Sequence, residues 1–314
     1  MTPHSRGVAL CVLSACGFGA MAIFAKQAYA AGFDVAPLLA LRFSLAAAVF
    51  WTVFAVRRAG LPSRRTVLAG LAMGAFGYAA QAGLYFGALT RIDASLTSLL
   101  LYTYPGLVFV LAVTLGREHA TPSRLAVLGL ATGGTALVLV GGGVGGVDGL
   151  GVAMGLGAAL VYSVYIVVAD RVLGDADPFT LAAFVMTGAA VATFVVAAAT
   201  GNLGVGGVDA GGYGWLLCVA LVSTVLAVSA FFAGMPLVGP ATASIVSTVE
   251  PVVTIGLATA VFGEALGAGQ FAGGALVLVA VVLLQRRAGT VAADAPPDHG
   301  PAAAPARALA REPA

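Results

Sequence analysis

Residues 243–287 read ASIVSTVEPVVTIGLATAVFGEALGAGQFAGGALVLVAVVLLQRR, two apolar runs joined by a short turn that contains a glutamate. Each run is close to the roughly 20 residues that an apolar helix needs to cross a lipid bilayer. Glu250 and Pro251 stand side by side inside the first run. A carboxylate in hydrocarbon costs several kcal/mol unless it is protonated, paired or hydrated, and a proline removes a helical hydrogen bond. Two unfavourable residues at one place in a membrane helix indicate a functional site.

The first half of the chain contains a related stretch. Residues 95–118 read SLTSLLLYTYPGLVFVLAVTLGRE, and a shift of 146 positions (251 − 105) places Pro105 on Pro251. The same shift places Tyr104 on Glu250. Pro105 and Pro251 are therefore candidate helix-break positions in two copies of one unit, a pattern that in membrane proteins is typical of transporters.

The composition identifies the class of protein. Of the 314 residues, 60% are hydrophobic and only 9% are charged, whereas soluble domains carry about 25% charged residues. The chain is therefore predicted to be an integral membrane protein. Its net charge of +2 gives no reason to expect nucleic acid as a partner.

Apolar runs of the required length predict an all-α integral membrane fold with ten transmembrane helices. We expect two five-helix units, at 7–141 and 150–285, followed by a disordered Ala/Pro-rich tail at 288–314. Because five is an odd number, the second unit must enter the membrane from the opposite side, which makes the two units an inverted repeat. The expected helices span residues 7–29, 36–56, 66–89, 94–115, 124–141, 150–170, 179–199, 213–235, 241–262 and 268–285.

The distribution of positive charges predicts the orientation. The connection at 57–65 (RRAGLPSRR) carries four arginines, and the connection at 116–124 carries two more. Basic connections remain in the cytoplasm, so both termini are expected on the cytoplasmic side of the cell inner membrane. Five acidic residues fall on the opposite side, namely Asp34, Asp93, Asp148, Asp209 and Glu264.

Glu250 and Arg42 are the candidate ionisable site residues. An ionisable residue within the membrane is a functional-site hypothesis, and Glu250 can take up a proton, bind a cationic or amino group, or do both. The alternative is a protonated or hydrogen-bonded carboxyl that only fixes the kink beside Pro251. Arg42 can pair with an anionic group of a substrate or with Glu250. The alternative is an arginine that extends to the membrane interface or caps carbonyl oxygens.

Aromatic and amide side chains extend the candidate site. Tyr78, Gln81 and Tyr85 share one face of the third expected helix, because they are three and four residues apart. Tyr102 and Tyr104 lie beside Pro105 in the fourth helix, and Tyr162 and Tyr165 lie in the sixth. An aromatic wall with a few polar tips suits a small organic substrate or a cation. The alternative is that these residues are the aromatics common at membrane interfaces.

Signatures of several other functions are missing from the sequence. It contains no HExxH, no GxSxG and no phosphate-binding loop, so it predicts neither catalytic residues nor the use of ATP. The histidines, His4, His119 and His299, are far apart in the sequence. We therefore expect no metal site and no cofactor.

The matched blocks of the two halves resemble a known family. The matching residues are Leu41-Arg42-Phe43, Tyr104-Pro105 and Gly116-Arg117-Glu118 in the first half, and Thr248-Val249-Glu250-Pro251-Val252, Phe262-Gly263-Glu264 and Gly273-Gly274-Ala275-Leu276 in the second. Over residues 7–287 the chain resembles the EamA-type transporters of the drug/metabolite transporter superfamily.

This resemblance implies ten helices in two inverted repeats. It also implies a central cavity formed largely by the first, third and fourth helices with their repeat mates, and export of small metabolites, amino acids or drugs. Arg42 and Glu250 match positions that the family often occupies in this way. Phe18 stands where many members have tryptophan, so the likeness does not identify the substrate.

Three functional hypotheses follow from the sequence. The leading one is a secondary transporter that exports small organic metabolites, amino acids or drugs by alternating access, with protons as the candidate coupling ion. The second is a facilitator without ion coupling. The third is an intramembrane enzyme acting on lipid-linked substrates, although the sequence offers it no cluster of nucleophiles. The expected partners are a small-molecule substrate and the lipid bilayer, with the protein acting as a monomer or a homodimer.

Overall fold

The structure is a computed structural model that describes residues 1–116, 121–141, 148–172 and 176–293. These residues form helices and connections, with no strand among them. Eight of their helices are long and apolar enough to cross a membrane, and two further apolar segments, Leu125–Val140 and Ala268–Leu284, are shorter. The predicted class, an all-α multi-pass membrane protein, is confirmed.

The helical segments of the described chain are numbered α1 to α10, with consecutive segments that adjoin one another counted as one helix. Three of them, α1, α4 and α9, are broken into two segments, while α3 and α8 each contain a π-helical turn. Their bounds are α1 Pro3–Gly19 and Met21–Ala30, α2 Val35–Val56, α3 Arg64–Leu89, α4 Ala94–Leu101 and Tyr104–Thr114, α5 Pro122–Gly141, α6 Gly149–Val172, α7 Pro178–Ala199, α8 Ala210–Val238, α9 Pro240–Ser247 and Val249–Phe262, and α10 Ala268–Ala293.

Aspartates in short connections begin several of these helices. The side chain of Asp177 accepts a hydrogen bond from the Thr180 backbone N–H at 2.8 Å at the start of α7. Asp209 does the same for α8, at 2.8 Å from the Gly212 N–H. Such N-caps satisfy amide groups that the first helical turn leaves without a partner. The Asp residues therefore fix where these helices begin.

The ends of the chain differ from the sequence prediction. Helix α1 begins at Pro3 rather than near residue 7, because Thr2 caps it and a proline suits its first turn. Helix α10 continues to Ala293, so residues 288–293 of the expected tail are helical. Alanine is a strong helix former, which favours this extension. The rest of the tail, 294–314, lies outside the described residues, as does Glu118.

The two halves of the chain pack against each other in a matched pattern. Helix α2 packs on α7, and α5 packs on α10. Helix α1 packs on α8 and α9, while α6 packs on α3 and α4. Helices α4 and α9 contact each other. If α1–α5 are mapped in order onto α6–α10, each of these contacts maps onto itself or onto another in the set.

The π-helical turns follow the same correspondence. They cover Met73–Tyr78 in α3 and Cys218–Leu226 in α8. The shift of 146 positions that relates the prolines carries residues 73–78 onto 219–224, inside the second turn. Tyr78 and Thr224 therefore occupy equivalent positions, and both contact the same arginine, as described below.

Glycines permit a close helix crossing between the halves. A Cβ atom built on Gly134 of α5 would lie 2.8 Å from the Gly273 carbonyl oxygen of α10, and one built on Gly273 would lie 2.5 Å from the Gly134 oxygen. A side chain at either position would force the helices apart. Small residues at such crossings let helix backbones approach closely in membranes.

Large apolar side chains cover the outside of the bundle. Phe76 is 82% exposed and Phe271 is 69% exposed. Exposed apolar surface on this scale marks contact with a membrane or with another protein. Together with the length of the helices, it indicates contact with lipid.

Candidate functional site

Helices α4 and α9 are both broken, and at equivalent places. The break in α4 lies at Tyr102 and Thr103, and the break in α9 lies at Thr248. Pro105 and Pro251 each follow in the first turn of the next segment. A proline lacks the N–H needed in a helix interior but is tolerated in a first turn. The helices therefore restart at the prolines rather than pass through them.

The break in α9 leaves one carbonyl group free. In a continuous helix the Ser247 oxygen would accept a hydrogen bond from residue 251, but Pro251 has no N–H to donate. The Tyr102 hydroxyl donates to this oxygen at 2.6 Å. The same hydroxyl lies 3.0 Å from Oε2 of Glu250. A tyrosine in the break of α4 thus reaches into the break of α9.

A cavity of about 520 Å³ adjoins these breaks. Its wall combines aromatic side chains with polar ones. All seven residues predicted to bind a substrate line it, namely Arg42, Tyr78, Gln81, Tyr85, Tyr104, Tyr162 and Glu250.

Arg42 is held in the wall by residues from both halves of the chain. Its Nε donates to the Thr224 hydroxyl at 2.8 Å, and one terminal nitrogen, Nη2, lies 3.4 Å from the Tyr78 hydroxyl. The guanidinium also lies 4.9 Å from the ring centre of Phe43 and 5.0 Å from that of Phe86. Two rings and two hydroxyls therefore fix this charge in place.

Two alternatives for Arg42 can now be decided. The residue is only 1% exposed, so its side chain does not extend out of the bundle. It also forms no ion pair with Glu250, because no carboxylate oxygen of the described residues lies within 4.0 Å of it. Its other terminal nitrogen, Nη1, is buried without a hydrogen-bond partner among those residues. A buried donor without a partner carries an uncompensated desolvation cost, which an acceptor reaching it from the cavity would offset.

Five tyrosines form a continuous wall between the two ionisable residues. The ring centres of Tyr102 and Tyr104 lie 5.8 Å apart, and those of Tyr104 and Tyr162 lie 4.8 Å apart. Tyr165 continues the wall at 6.3 Å from Tyr162 and at 6.3 Å from Tyr78. Such rings offer apolar faces and polar hydroxyls at the same time.

The cavity extends toward one end of the bundle. Its lining includes Ala176, in the connection that leads into α7, and Pro178, the first residue of α7. At this end Arg57, which directly follows α2, lies 3.4 Å from Asp177, and both side chains are well exposed. The cavity therefore reaches the end of the bundle that carries the arginine-rich connection.

The opposite end is held together by Glu264. Its Oε1 accepts hydrogen bonds from Lys26 Nζ and from the Ala94 N–H, both at 3.0 Å. Its Oε2 accepts from the Ser95 N–H at 3.0 Å and from the Ser95 hydroxyl at 2.8 Å. Burial alone would raise the pKa of Glu264, but these four donors hold that pKa below its ordinary value. The carboxylate thus caps the start of α4 from the α9–α10 connection.

Two further contacts close the same end. Arg91 lies 2.8 Å from Asp148, and this hydrogen bond is the main reason why the pKa of Asp148 is lowered. The Asn202 side-chain amide donates to Asp34 at 3.0 Å. Each contact joins two connections that are far apart in the sequence. The bundle is therefore tied shut at this end and penetrated by the cavity from the other.

Residues beyond the seven predicted ones also contribute to the site. Tyr165 and Phe18 line the cavity, and so does Tyr102, whose hydroxyl contacts Glu250. The two tyrosines belong to the aromatic wall that the sequence indicates, and Tyr165 lies three residues after Tyr162 on the same helix face. The pairing of Lys26 with Glu264 had no comparable signal, because the two are far apart in the sequence.

The lining limits the chemistry of the cavity. Among the residues that the structure describes, Glu250 is the one carboxyl in the lining and Arg42 the one guanidinium. Those residues contain no group of three or more His, Cys, Asp or Glu side chains close enough to hold a metal ion. The cavity can therefore offer one acidic group, one basic group, phenol hydroxyls, an amide and aromatic faces to a small organic molecule.

Comparison with known proteins agrees with this architecture. The EamA-like transporter family matches residues 5–140 and 149–286. An uncharacterized transporter, YcbK of Bacillus subtilis (strain 168), is 27% identical over 268 residues, which cover 82% of this chain and 85% of that protein. One solved crystal structure superposes with a TM-score of 0.64 at 18% identity, covering 91% of this chain and 99% of the other, and so shares the fold.

Proposed function

This chain belongs to the EamA-like transporter family, and we propose that it exports small organic metabolites across the cell inner membrane as a secondary transporter. Family membership makes it a membrane transporter rather than an intramembrane enzyme. The solute, the direction and the coupling are our proposal. So are ten membrane crossings in two inverted five-helix repeats, which the matched packing of the two halves and the equivalent π-helical turns support.

The observation that carries the proposal is the position of Glu250. Its carboxyl lines the cavity in the first turn after the break of α9 and receives one hydrogen bond, from Tyr102. A carboxylate has about four lone-pair sites, so Glu250 keeps capacity for a proton or for a cationic group of a solute. An ionisable side chain that is costly in the membrane and open to a cavity is the expected feature of a transport site.

The cavity favours a solute of particular chemistry. We propose an amino or other cationic group at Glu250, an anionic group toward Nη1 of Arg42, and an apolar or aromatic body against the tyrosines. A volume of about 520 Å³ lies within the roughly 300–1,000 Å³ that is usual for small-molecule sites. Amino acids and related zwitterionic metabolites satisfy all three conditions.

Alternating access accounts for the two ends of the bundle. The cavity reaches the end that carries Arg57, which the charge distribution assigns to the cytoplasm together with both termini. Glu264 and its donors close the other end. In this proposal the structure is the inward-facing state, and export requires the contacts of Glu264 to open while the cytoplasmic end closes.

Proton coupling follows if one carboxyl serves both ligands. A proton and a cationic group cannot occupy the same oxygen of Glu250 at once, so the binding of either favours release of the other. This exclusion is the condition for antiport. We therefore propose that an inward movement of protons through Glu250 drives export.

Proteoliposomes test the proposal directly. A mixed pool of amino acids and related metabolites is loaded inside or outside, with and without a pH gradient, and its redistribution is followed by mass spectrometry. Wild type is compared with Glu250→Gln. Asp209→Asn serves as the matched control, because it makes the same acid-to-amide change at an exposed helix cap outside the cavity.

We expect movement of at least one compound that depends on the gradient, is lost in Glu250→Gln and persists in Asp209→Asn. Movement that ignores both the gradient and the Glu250 substitution would instead favour an uncoupled facilitator. Gradient-driven movement that survives in Glu250→Gln would show that the coupling site lies elsewhere.

A further inference from the structure

We propose that Tyr102 is a positioning residue that senses whether Glu250 is occupied and transmits this to the junction of α4 and α9. This inference rests on the proposed function of Glu250. It assigns a role in the transport cycle to a residue that lies in one helix break and contacts the other.

The first step is a competition for one hydrogen atom. A phenol hydroxyl has a single hydrogen to donate, yet the Tyr102 hydroxyl lies within hydrogen-bond distance of two acceptors. They are the Ser247 carbonyl oxygen at 2.6 Å and Glu250 Oε2 at 3.0 Å. Tyr102 is only 3% exposed, so bulk water is not a ready substitute for either partner. The hydroxyl must divide its bond between them.

The second step is the effect of occupancy. An ionised, empty Glu250 is a strong acceptor and draws the hydroxyl toward it. A proton or a cationic group on the carboxylate weakens this attraction, and the hydroxyl then turns fully to Ser247. Because Pro251 left that carbonyl without its helical partner, the state of Glu250 sets the strength of the bond that spans the break of α9.

The third step connects the junction to the closed end. Tyr102 terminates the first segment of α4, Ala94–Leu101, which is eight residues long and buried over most of its length. Glu264 caps the other end of this segment through Ala94 and Ser95. One short, buried helical segment therefore joins the Tyr102 hydroxyl to the contacts that must open during transport. Rigid elements of this kind are able to carry coupling between two sites.

Other titratable groups around Glu250 lack this geometry. Tyr104, next to Tyr102 in sequence, lines the cavity and packs its ring on Tyr102, but its hydroxyl donates no hydrogen bond to another described residue. It is the matched control. Helix α1 contributes Phe18 to the lining, α8 contributes Phe231 and Phe232, and α10 contributes none of the lining side chains described. The titratable and charged groups that share the lining with Glu250 are Arg42, Tyr78, Tyr85, Tyr102, Tyr104, Tyr162 and Tyr165.

The experiment measures how open the cavity is as Glu250 takes up protons. Ser244 lines the cavity, and a Ser244→Cys variant is made after the three native cysteines, Cys11, Cys16 and Cys218, have been replaced by alanine. The rate of reaction with a polar maleimide is measured in nanodiscs over a pH series that spans neutrality. Each rate is divided by that of the denatured protein, which removes the titration of the thiol itself.

We expect the normalised rate to change about fivefold or more across the series, the lower bound of typical coupling between sites. Tyr102→Phe and Glu250→Gln should each flatten this response, and their double variant should be no flatter than either alone. Tyr104→Phe should retain the full response. Size-exclusion chromatography checks that each variant is folded.

A pH response that survives in folded Tyr102→Phe, or that is lost equally in Tyr104→Phe, would overturn the proposal. So would a response that is absent from the protein with both tyrosines intact. If Tyr102→Phe fails to fold, the comparison of Glu250→Gln with the unsubstituted background still decides, because a response that persists without the carboxyl cannot pass through Tyr102. The labelling needs no solute movement, so it is independent of the proteoliposome test of the proposed function.

Discussion

Glu250 and Glu264 are two carboxyls in the same region of the chain that serve opposite purposes. The side chain of Glu264 is 8% exposed and accepts four hydrogen bonds, from Lys26, Ala94 and both donors of Ser95. Glu250 accepts one, from Tyr102, and faces the cavity. A carboxylate whose lone pairs are filled by fixed donors stabilises a structure. One whose lone pairs are spare is available to a ligand.

The largest expected effect is on stability, from Glu264→Ala. The substitution leaves Lys26 and the first amides of α4 without their acceptor. We expect a loss of about 3 kcal/mol, toward the lower end for broken buried pairs because Lys26 is 21% exposed. Thermal unfolding in detergent measures it. Arg91→Ala, which breaks the exposed ion pair with Asp148 at the same end but leaves the Asp148 cap of α6 in place, is the control and should cause no measurable change.

Glu250→Ala makes the comparison sharper. It removes a desolvated carboxyl that has only one donor, so we expect the unfolding midpoint to stay the same or to rise. A loss of stability as large as that of Glu264→Ala would mean that Glu250 is structural after all.

The next effect is a dependence of stability on acid pH. The folded-state pKa of Glu264 is held below its ordinary value of 4.5. Its contribution to stability is therefore complete above that value and is lost as the pH falls through the lower, folded-state pKa. We expect the unfolding midpoint of wild type to fall in this acid range. Glu264→Gln should start lower and fall less over the same range.

The acid titration has an internal control. Asp148, whose pKa is also lowered, chiefly by its hydrogen bond from Arg91, is present in both proteins, so its contribution cancels in the difference. Parallel curves for wild type and Glu264→Gln would contradict the assignment of the acid sensitivity to Glu264.

A smaller effect is expected on transport, from Pro251→Ala. Alanine restores the N–H that can bond to the Ser247 oxygen within α9, and this bond competes with Tyr102. We expect transport slower by about tenfold, which corresponds to roughly 1.4 kcal/mol, without loss of thermal stability. Initial rates in proteoliposomes check it, with Pro236→Ala in α8 as the control proline. Unchanged transport would show that the break in α9 does not matter to the cycle.

The smallest effect is that of Lys26→Met. The substitution keeps an apolar stem of similar length and removes one of the four donors to Glu264. Because three donors from α4 remain, we expect a loss of about 1 kcal/mol. Thermal unfolding beside Glu264→Ala measures it. A loss as large as that of Glu264→Ala would mean that the ion pair, rather than the helix cap, holds this end together.

Part of the candidate site could be predicted because it depends on residue type and local spacing. Glu250 and Arg42 were predicted because a charge in an apolar run is rare. Tyr78 and Gln81 were predicted because their spacing puts them on one helix face. The suggested pairing of Arg42 with Glu250 was wrong for the conformation seen here. Two hydroxyls brought together by the π-helical turns hold the guanidinium instead.

The sequence by itself determined the membrane class, most bounds of the apolar helices within a few residues, and the residue types that the two halves share. These properties follow from the length of apolar runs and from repeated residue types, which are local. Only the tertiary structure decided that Tyr102 reaches Glu250, that Glu264 caps α4, and which end of the bundle the cavity enters. The first two are contacts between residues more than a hundred positions apart. All three depend on how the helices pack against one another rather than on the residue pattern within any one helix.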